Sequence, residues 1–307
     1  MYKQFNLGHL ALLVTAIIFG FGFLFQRDAA KIPEPSEVVI FTLWFVFSRS
    51  LIAVLFVLLI TFFSRNNKNK TALFQNKEWI FYGAMSGLLF SAGMFFQQAG
   101  LAYTSIAKSG FITSLYVILV PILACFFLRT KRPNKVFWLA VLIMFLGLFC
   151  FAVSRTDDTS WNFGDTLTLI GAFCFAVQVL VLGLAVKKTA ISGLLIGQFA
   201  SVCLICFLLV LILGKLQVFL YLEWYKKSYL DILVLGLGSS GIAFLLQGYG
   251  QRKVPTAHAA LILAFEAVFA AIFAYIFYAE KMTYLMLFGS FLMLVAIVVA
   301  QLANLHN

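Results

Sequence analysis

The chain has 307 residues, of which 63% are hydrophobic and 11% are charged, and its mean hydropathy is +1.03. Soluble proteins carry charge on roughly a quarter of their residues, so this composition excludes a soluble globular fold. The net charge of +11 resides mostly in short basic connections between apolar runs. That placement is typical of lipid-headgroup anchors and topology signals, and we expect no nucleic acid partner.

Apolar runs of about 20 residues, long enough to cross ~30 Å of hydrocarbon as a helix, recur along the chain. Because helices satisfy their own backbone hydrogen bonds in lipid, we predict an all-α membrane protein with ten transmembrane helices. The first span is long for a signal-peptide core and lacks a small-residue cleavage site, so we expect it to be retained. The predicted spans are 8–26, 38–63, 79–101, 106–128, 135–154, 165–186, 190–213, 231–250, 256–278 and 283–303.

Lysine and arginine predict the orientation of these spans. They are more frequent in the connections that lie inside if the N-terminus is cytoplasmic, above all at 65–77 and 129–135. The positive-inside rule therefore predicts cytoplasmic N- and C-termini. The 213–231 connection combines aromatic rings with lysines, which is typical of a segment at the membrane interface.

The two halves of the chain are related in sequence. One constant shift along the sequence brings identical residues together: Gly87 with Gly236, Leu88 with Leu237, Ser91 with Ser240, Phe95 with Phe244 and Gln98 with Gln247. Repeats of five helices, an odd number, insert in opposite orientations, and inverted repeats with a central site are a recurrent plan of secondary transporters. We predict two inverted five-helix repeats, residues 1–155 and 156–307, which meet at the linker 155–164.

Charged groups within the predicted spans are few. Glu266 is the only acid deep within a span and Arg49 is the only deep base, and a charge in lipid is costly, so each should face the protein interior or water. His258 precedes Glu266 by eight residues, which places both on one face of a continuous helix. Arg49, His258 and Glu266 are our coupling or gating candidates, with protons as the hypothetical coupled ion. The alternative is that these charges only hold helices together.

Neutral polar residues form a second candidate set. Ser109, Thr113 and Tyr116 share one face of the fourth predicted span, at i, i+4 and i+7. Such groups bind polar solutes in partly dry cavities, although bonding between helices is their commoner use. The predicted substrate contacts are Gln97, Tyr116, Gln178, Gln198 and Glu266.

Other motif-like patterns have simpler explanations. Residues 236–241 fit GxGxxG, but a lipid span cannot form a strand–turn–helix unit, so close helix packing explains these glycines and Gly83 better. The five cysteines lie in apolar helices and no metal-ligand spacing appears, so we expect no metal and no cofactor. A hydrolase would need a nucleophile beside a base. No motif joins Ser239 to His258, and we predict no enzymatic activity.

The sequence resembles the EamA-type members of the drug/metabolite transporter superfamily over nearly its whole length. The residues that carry the resemblance are Phe19-Gly20, Phe25-Gln26, Arg49 in SRSLIA, the block 98–133 with LYVILVP, Gly164-Asp165, and 265–269 ahead of Glu280. Two positions depart from the family pattern. Ala267 replaces the usual proline after the glutamate, and Thr130-Lys131 replaces the acid that commonly closes the first repeat.

The resemblance implies a ten-helix exporter or importer of small metabolites in the cytoplasmic (inner) membrane of a bacterium. We expect alternating-access transport of an amino acid-like or other small organic solute, with export as the favoured direction. A sugar-phosphate or nucleotide-sugar carrier of the same superfamily would need more cavity cations than Arg49. A membrane binding or assembly protein without transport is the other alternative. The expected partners are the solute and the lipid bilayer, with a homodimer as a further hypothesis.

Overall fold

The computed structural model describes residues 7–31, 33–63, 77–127, 134–153, 161–279 and 282–303, and this part of the chain is helical without strands. The all-α prediction is therefore confirmed. The helices are α1 (Leu7–Ala30), α2 (Val38–Phe63), α3 (Glu78–Leu101), α4 (Ile106–Ser114), α5 (Tyr116–Phe127), α6 (Lys135–Val153), α7 (Phe163–Lys188), α8 (Ile191–Ile212), α9 (Leu222–Leu233), α10 (Ala243–Lys253), α11 (Thr256–Leu263), α12 (Glu266–Tyr278) and α13 (Tyr284–Ala303).

Eight helical segments of the described chain are long and apolar enough to cross a membrane. Helices α6 and α13 contain shorter apolar stretches, Lys135–Cys150 and Tyr284–Ala300. The ten predicted spans thus correspond to eight segments of sufficient length and two shorter ones. The basic connections at 65–70 and 129–132, most of the linker 155–164, and Glu280 lie outside the described residues.

The eighth span begins earlier than the sequence predicted. Helix α9 continues through a π-helical turn, Val234–Ile242, into α10, so that Leu222–Lys253 is one helical segment. Trp224, which we expected in an interfacial connection, is buried, with its ring centroid 5.0 Å from that of Phe41 and 5.5 Å from that of Trp44. Because α9 is amphipathic, its polar face lowered the hydropathy of a segment whose other face packs against α2.

Two predicted spans are interrupted near their middle. The fourth is broken at Leu115, between α4 and α5, and the ninth at Ala264-Phe265, between α11 and α12. The shift that aligns the repeated residues brings the two breaks into register within one residue. They also touch, because the Ser114 hydroxyl donates to the Ala264 carbonyl over 3.5 Å. Irregular backbone is tolerated at membrane depth only where it is buried in protein or lines a cavity.

Helices from the two halves of the chain pack against each other in corresponding pairs. Helix α1 packs on α10 and α12, whereas α7 packs on α3 and α5. Each contact has an equivalent in the other half of the chain: the contact of α1 with α10 corresponds to that of α7 with α3, and the contact of α1 with α12 corresponds to that of α7 with α5. Helix α2 packs on α8, and α6 packs on α13. In each of these two pairs, the helices occupy equivalent positions in the two halves. The tertiary packing therefore follows the repeat in the sequence.

A glycine contact lets two of these helices approach closely. A Cβ atom added to Gly83 of α3 would lie 2.8 Å from the Gly197 Cα of α8, which is closer than real Cβ atoms come. The predicted close-packing role of Gly83 is therefore confirmed. Large apolar side chains such as Phe63 and Phe126 are instead exposed, at 81% and 78%, while several charged and amide groups are buried. Soluble proteins bury apolar side chains and expose charged ones, and the opposite arrangement here is suited to a lipid environment.

Candidate functional site

A cavity lies between the two halves of the chain. Its empty volume of about 570 Å³ includes open solvent. Eight of its 17 lining residues have apolar aromatic or aliphatic side chains: Phe19, Phe23, Phe90, Met94, Phe175, Val179, Phe244 and Leu263. The polar part of the wall comprises Gln26, Arg49, Gln97, Thr113, Tyr116, Gln178, Ser239, Gln247 and Glu266.

Glu266 reaches this wall because a helix begins there. It is the first residue of α12, directly after the break in the ninth span, and a helix N-terminus favours a negative charge. The side chain is 5% exposed, and its Oε1 atom has no hydrogen-bond partner. Tyr116, the first residue of α5, follows the other break and lies beside Glu266 on the cavity wall. The two helix breaks thus place an acid and a phenol side by side.

Arg49 supplies the positive charge of the cavity. It is 2% exposed, and its Nε and Nη2 atoms donate to the Ser240 hydroxyl over 3.2 and 3.1 Å. Its Nη1 atom has no partner. Among the described residues, neither Arg49 nor Glu266 has an oppositely charged group within ion-pair distance. Both side chains therefore face the cavity without an oppositely charged partner, and burial of an unpaired charge is costly.

Two glutamines of the wall, Gln97 and Gln178, have amide nitrogens that donate hydrogen bonds to other side chains. The Gln97 Nε2 atom donates to the Thr113 hydroxyl over 2.8 Å. The Gln178 Nε2 atom is held by groups behind the wall, and in the described part of the protein neither Oε1 atom accepts a hydrogen bond. The Oε1 atoms of Gln26 and Gln247 are buried without partners. The Gln97 and Gln178 oxygens are not among these fully buried atoms, so they are the amide oxygens open to a solute or water.

The structure brings most of the predicted site residues together. Gln97, Tyr116, Gln178, Glu266 and Arg49 all line the cavity. Gln198 does not line it. Its amide lies behind the wall, where its Oε1 atom accepts hydrogen bonds from Gln178 and Ser86, so it contacts a lining residue rather than the cavity itself.

His258 is also outside the cavity. Its Nε2 atom lies 3.3 Å from the Ala300 carbonyl of α13, and its ring packs on Phe137 with centroids 4.8 Å apart. The expected common face with Glu266 is wrong, because α11 ends at Leu263 and the helix does not continue through Glu266. A spacing of eight residues keeps its angular meaning only within one regular helix.

Sequence reasoning missed two kinds of residue. The phenylalanines of the wall were not singled out, because a hydropathy pattern does not separate a cavity-facing ring from a lipid-facing one. Buried acids other than Glu266 were also missed. Asp231 lies inside the helical segment that begins at Leu222 and is 8% exposed, and Asp165 is fully buried with the Lys108 Nζ atom 2.5 Å away. Both had been placed at span ends.

Together, the apolar exterior, the repeated helices and the cavity with its polar lining residues define a multi-pass integral membrane protein of the transporter class. Residues 6–153 and 162–301 both match the EamA-like transporter family, and the chain belongs to that family. The resemblance seen in the sequence is thereby confirmed. As a membrane transporter, the protein interacts with a small solute and with the lipid bilayer.

Two comparisons extend this result. A protein of Archaeoglobus fulgidus described as an uncharacterized transporter is 28% identical over 232 residues, which cover 74% of this chain and 70% of that protein. A crystal structure superposes with a TM-score of 0.72 at 14% identity and covers 96% of both chains. At that identity the likeness shows the shared fold alone.

Proposed function

We propose that this protein is a secondary transporter that exports an amino acid-like solute with an apolar side chain by alternating access. The observation that carries the proposal is the pair of ionisable groups of opposite sign, Arg49 and Glu266, which line one cavity without forming an ion pair with each other. An amino acid brings a carboxylate and an ammonium group on one small molecule. It can therefore satisfy both charges at once.

The rest of the wall supports this solute class. Guanidinium groups bind carboxylates through paired hydrogen bonds, and the Nη1 atom of Arg49 is buried without a partner. Gln97, Gln178 and Tyr116 add neutral polar groups to the same cavity, and the phenylalanines offer an apolar surface for the side chain of the solute. Arg49 is the one cation among the described lining residues, which disfavours sugar phosphates and nucleotide sugars, the runner-up substrates.

Alternating access is proposed from the repeat. We propose ten spans in two inverted units, residues 1–155 and 156–307, with α6 and α13 as the shorter, mutually packed spans. Support comes from the two family matches, from the helix breaks in register and from the corresponding helix pairs. In inverted-repeat carriers the two units rock about a site near the membrane centre, which exposes it to each side in turn.

Proton exchange is the proposed coupling mechanism, and it explains why export is the proposed direction. A buried carboxylate can hold either a proton or the ammonium group of a solute, so Glu266 would exchange one for the other. An inward proton gradient then drives the solute outward. Tyr116 and Arg49 are the other ionisable groups on the wall. His258 stays a gating prediction, and a homodimer stays a hypothesis.

We propose the cytoplasmic membrane of a bacterium as the location, with both termini in the cytoplasm, on the basis of the basic connections. The function is tested with purified protein in liposomes loaded with radiolabelled L-leucine or L-phenylalanine. Acidification of the outside should accelerate efflux of these amino acids, whereas glucose 6-phosphate should not move. Absence of flux for every amino acid, with solute binding retained, would favour a binding protein without transport.

A further inference from the structure

A buried hydrogen-bond network lies directly behind the cavity wall. The Ser86 hydroxyl of α3 donates to the Gln198 Oε1 atom of α8 over 2.6 Å. The Gln178 Nε2 atom of α7 donates to both the Ser86 hydroxyl and the Gln198 Oε1 atom, each over 3.2 Å. The three side chains are at most 2% exposed. Of the three, only Gln178 lines the cavity.

The network fixes which end of the Gln178 amide a solute meets. Because its nitrogen donates to two groups behind the wall, its oxygen is the end that remains for the cavity. In the described residues this Oε1 atom accepts no hydrogen bond, and it is not among the fully buried unpartnered atoms. Without the network, rotation of the amide would present donors and acceptors alternately. With it, the cavity has a defined acceptor at Gln178.

Gln198 itself is not explained by packing. Its Nε2 atom is buried without a partner, which is destabilising, and an apolar side chain of similar size would avoid that orphan donor. Its oxygen, in contrast, accepts two hydrogen bonds, from Ser86 and Gln178. The hydrogen bonds that the Gln198 oxygen accepts from Ser86 and Gln178 therefore explain why an amide is present at position 198.

The close approach of α3 and α8 sets the geometry of this network. A Cβ atom added to Gly87, the neighbour of Ser86, would lie 2.5 Å from the Gln198 backbone oxygen. The contact between Gly83 and Gly197 lies one turn away along α3 and one residue away along α8. These glycines bring the Ser86 hydroxyl within reach of an amide on the facing helix.

We propose that Ser86 and Gln198 are positioning residues that orient Gln178 as a hydrogen-bond acceptor for the primary ammonium group of the solute. The inference rests on the proposed function and adds a specificity to it. A primary ammonium group has three N–H donors, and Gln178, Gln97 and Glu266 provide acceptor oxygens in the same cavity. A solute with a positive charge but no N–H group gains nothing from the orientation of Gln178.

The test uses the full-length protein in liposomes and two probes. L-leucine has a primary ammonium group, whereas N,N,N-trimethyl-L-leucine keeps both charges and lacks N–H donors. In the Gln198→Leu variant we expect the KM for L-leucine exchange to rise by about tenfold, the effect of losing one hydrogen bond to a charged donor. The inhibition constant of the trimethyl probe should stay within about twofold, since it never used that bond.

Measurements in the Gln178→Leu protein distinguish a positioning role of Gln198 from a purely structural one. If Gln198 acts through Gln178, then Gln198→Leu should leave the KM unchanged in a Gln178→Leu protein, because coupled effects do not add. Ser86→Ala, which removes only one oxygen, should raise the KM for L-leucine by a smaller factor and spare the trimethyl probe. It also serves if Gln198→Leu fails to fold.

The outcomes are distinct. Equal losses for the two probes, or effects at 178 and 198 that multiply, would overturn the positioning role while leaving the proposed transport intact. A parent protein that exchanges other solutes but never L-leucine would overturn the proposed solute class and the inference together. A parent that prefers the trimethyl probe would overturn the ammonium specificity alone.

Discussion

Replacing Glu266 by glutamine should weaken amino acid transport and remove its pH dependence. The substitution keeps the shape of a side chain that is 5% exposed, and it abolishes the one negative charge among the described lining residues. A hydrogen bond between two charged groups contributes about 1.5–3 kcal/mol, so the apparent affinity for L-leucine should fall by roughly ten- to 150-fold. Stability should not fall, because the lost charge has no cationic partner.

Efflux from liposomes measures both effects. In the parent protein, efflux of L-leucine should accelerate when the outside is acidified, whereas in Glu266→Gln it should be slow and flat with pH. The matched control is Asp231→Asn, which neutralises another buried acid outside the cavity and should change neither property. Full affinity together with proton-driven efflux in Glu266→Gln would refute the assignment of this carboxylate to the ammonium group and to the proton.

Four further predictions concern other parts of the chain. Arg49→Gln should raise the KM for L-leucine about tenfold but spare L-leucinol, which lacks the carboxylate; equal losses for both in the same exchange assay would contradict a carboxylate site. Gly83→Ala should lower the free energy of unfolding by about 1–3 kcal/mol, seen as a lower melting temperature in detergent, because the added methyl meets backbone 2.8 Å away. Ala279→Gly should raise it by about 1 kcal/mol, since Ala279 ends α12 with a φ of 52°; unchanged melting would argue against strain there. In a cysteine-free background, Asp158→Cys should react with an impermeant reagent from outside and Lys70→Cys should not, and the opposite labelling would reverse the proposed topology.

The site residues that were predicted well are those whose burial is costly. Arg49 and Glu266 could be placed in the interior because a charge facing lipid is expensive, whatever its neighbours are. Gln178 and Gln198 could not be told apart in this way. Both are glutamines in apolar helices, and only the contact between α3 and α8 determines that one faces the cavity while the other holds it from behind.

Helix continuity was the other property that local pattern did not reveal. His258 and Glu266 have a spacing typical of one helical face, but the break at Ala264-Phe265 sends them to different surroundings. Trp224 shows the opposite error, since its polar neighbours hid a helix that α2 stabilises by covering its apolar face. In both cases contacts distant in sequence outweighed the local signal.

The amino-acid sequence alone determined that this chain is an all-helical membrane protein with two related halves, because hydropathy and internal repetition are properties of the chain that need no partner. It also determined which charges must avoid lipid. Only the tertiary structure decided which polar groups meet in one cavity, because that depends on where helices break and how closely glycines let them approach. The distances between these helices depend on contacts between segments far apart in the sequence, which local sequence patterns do not predict.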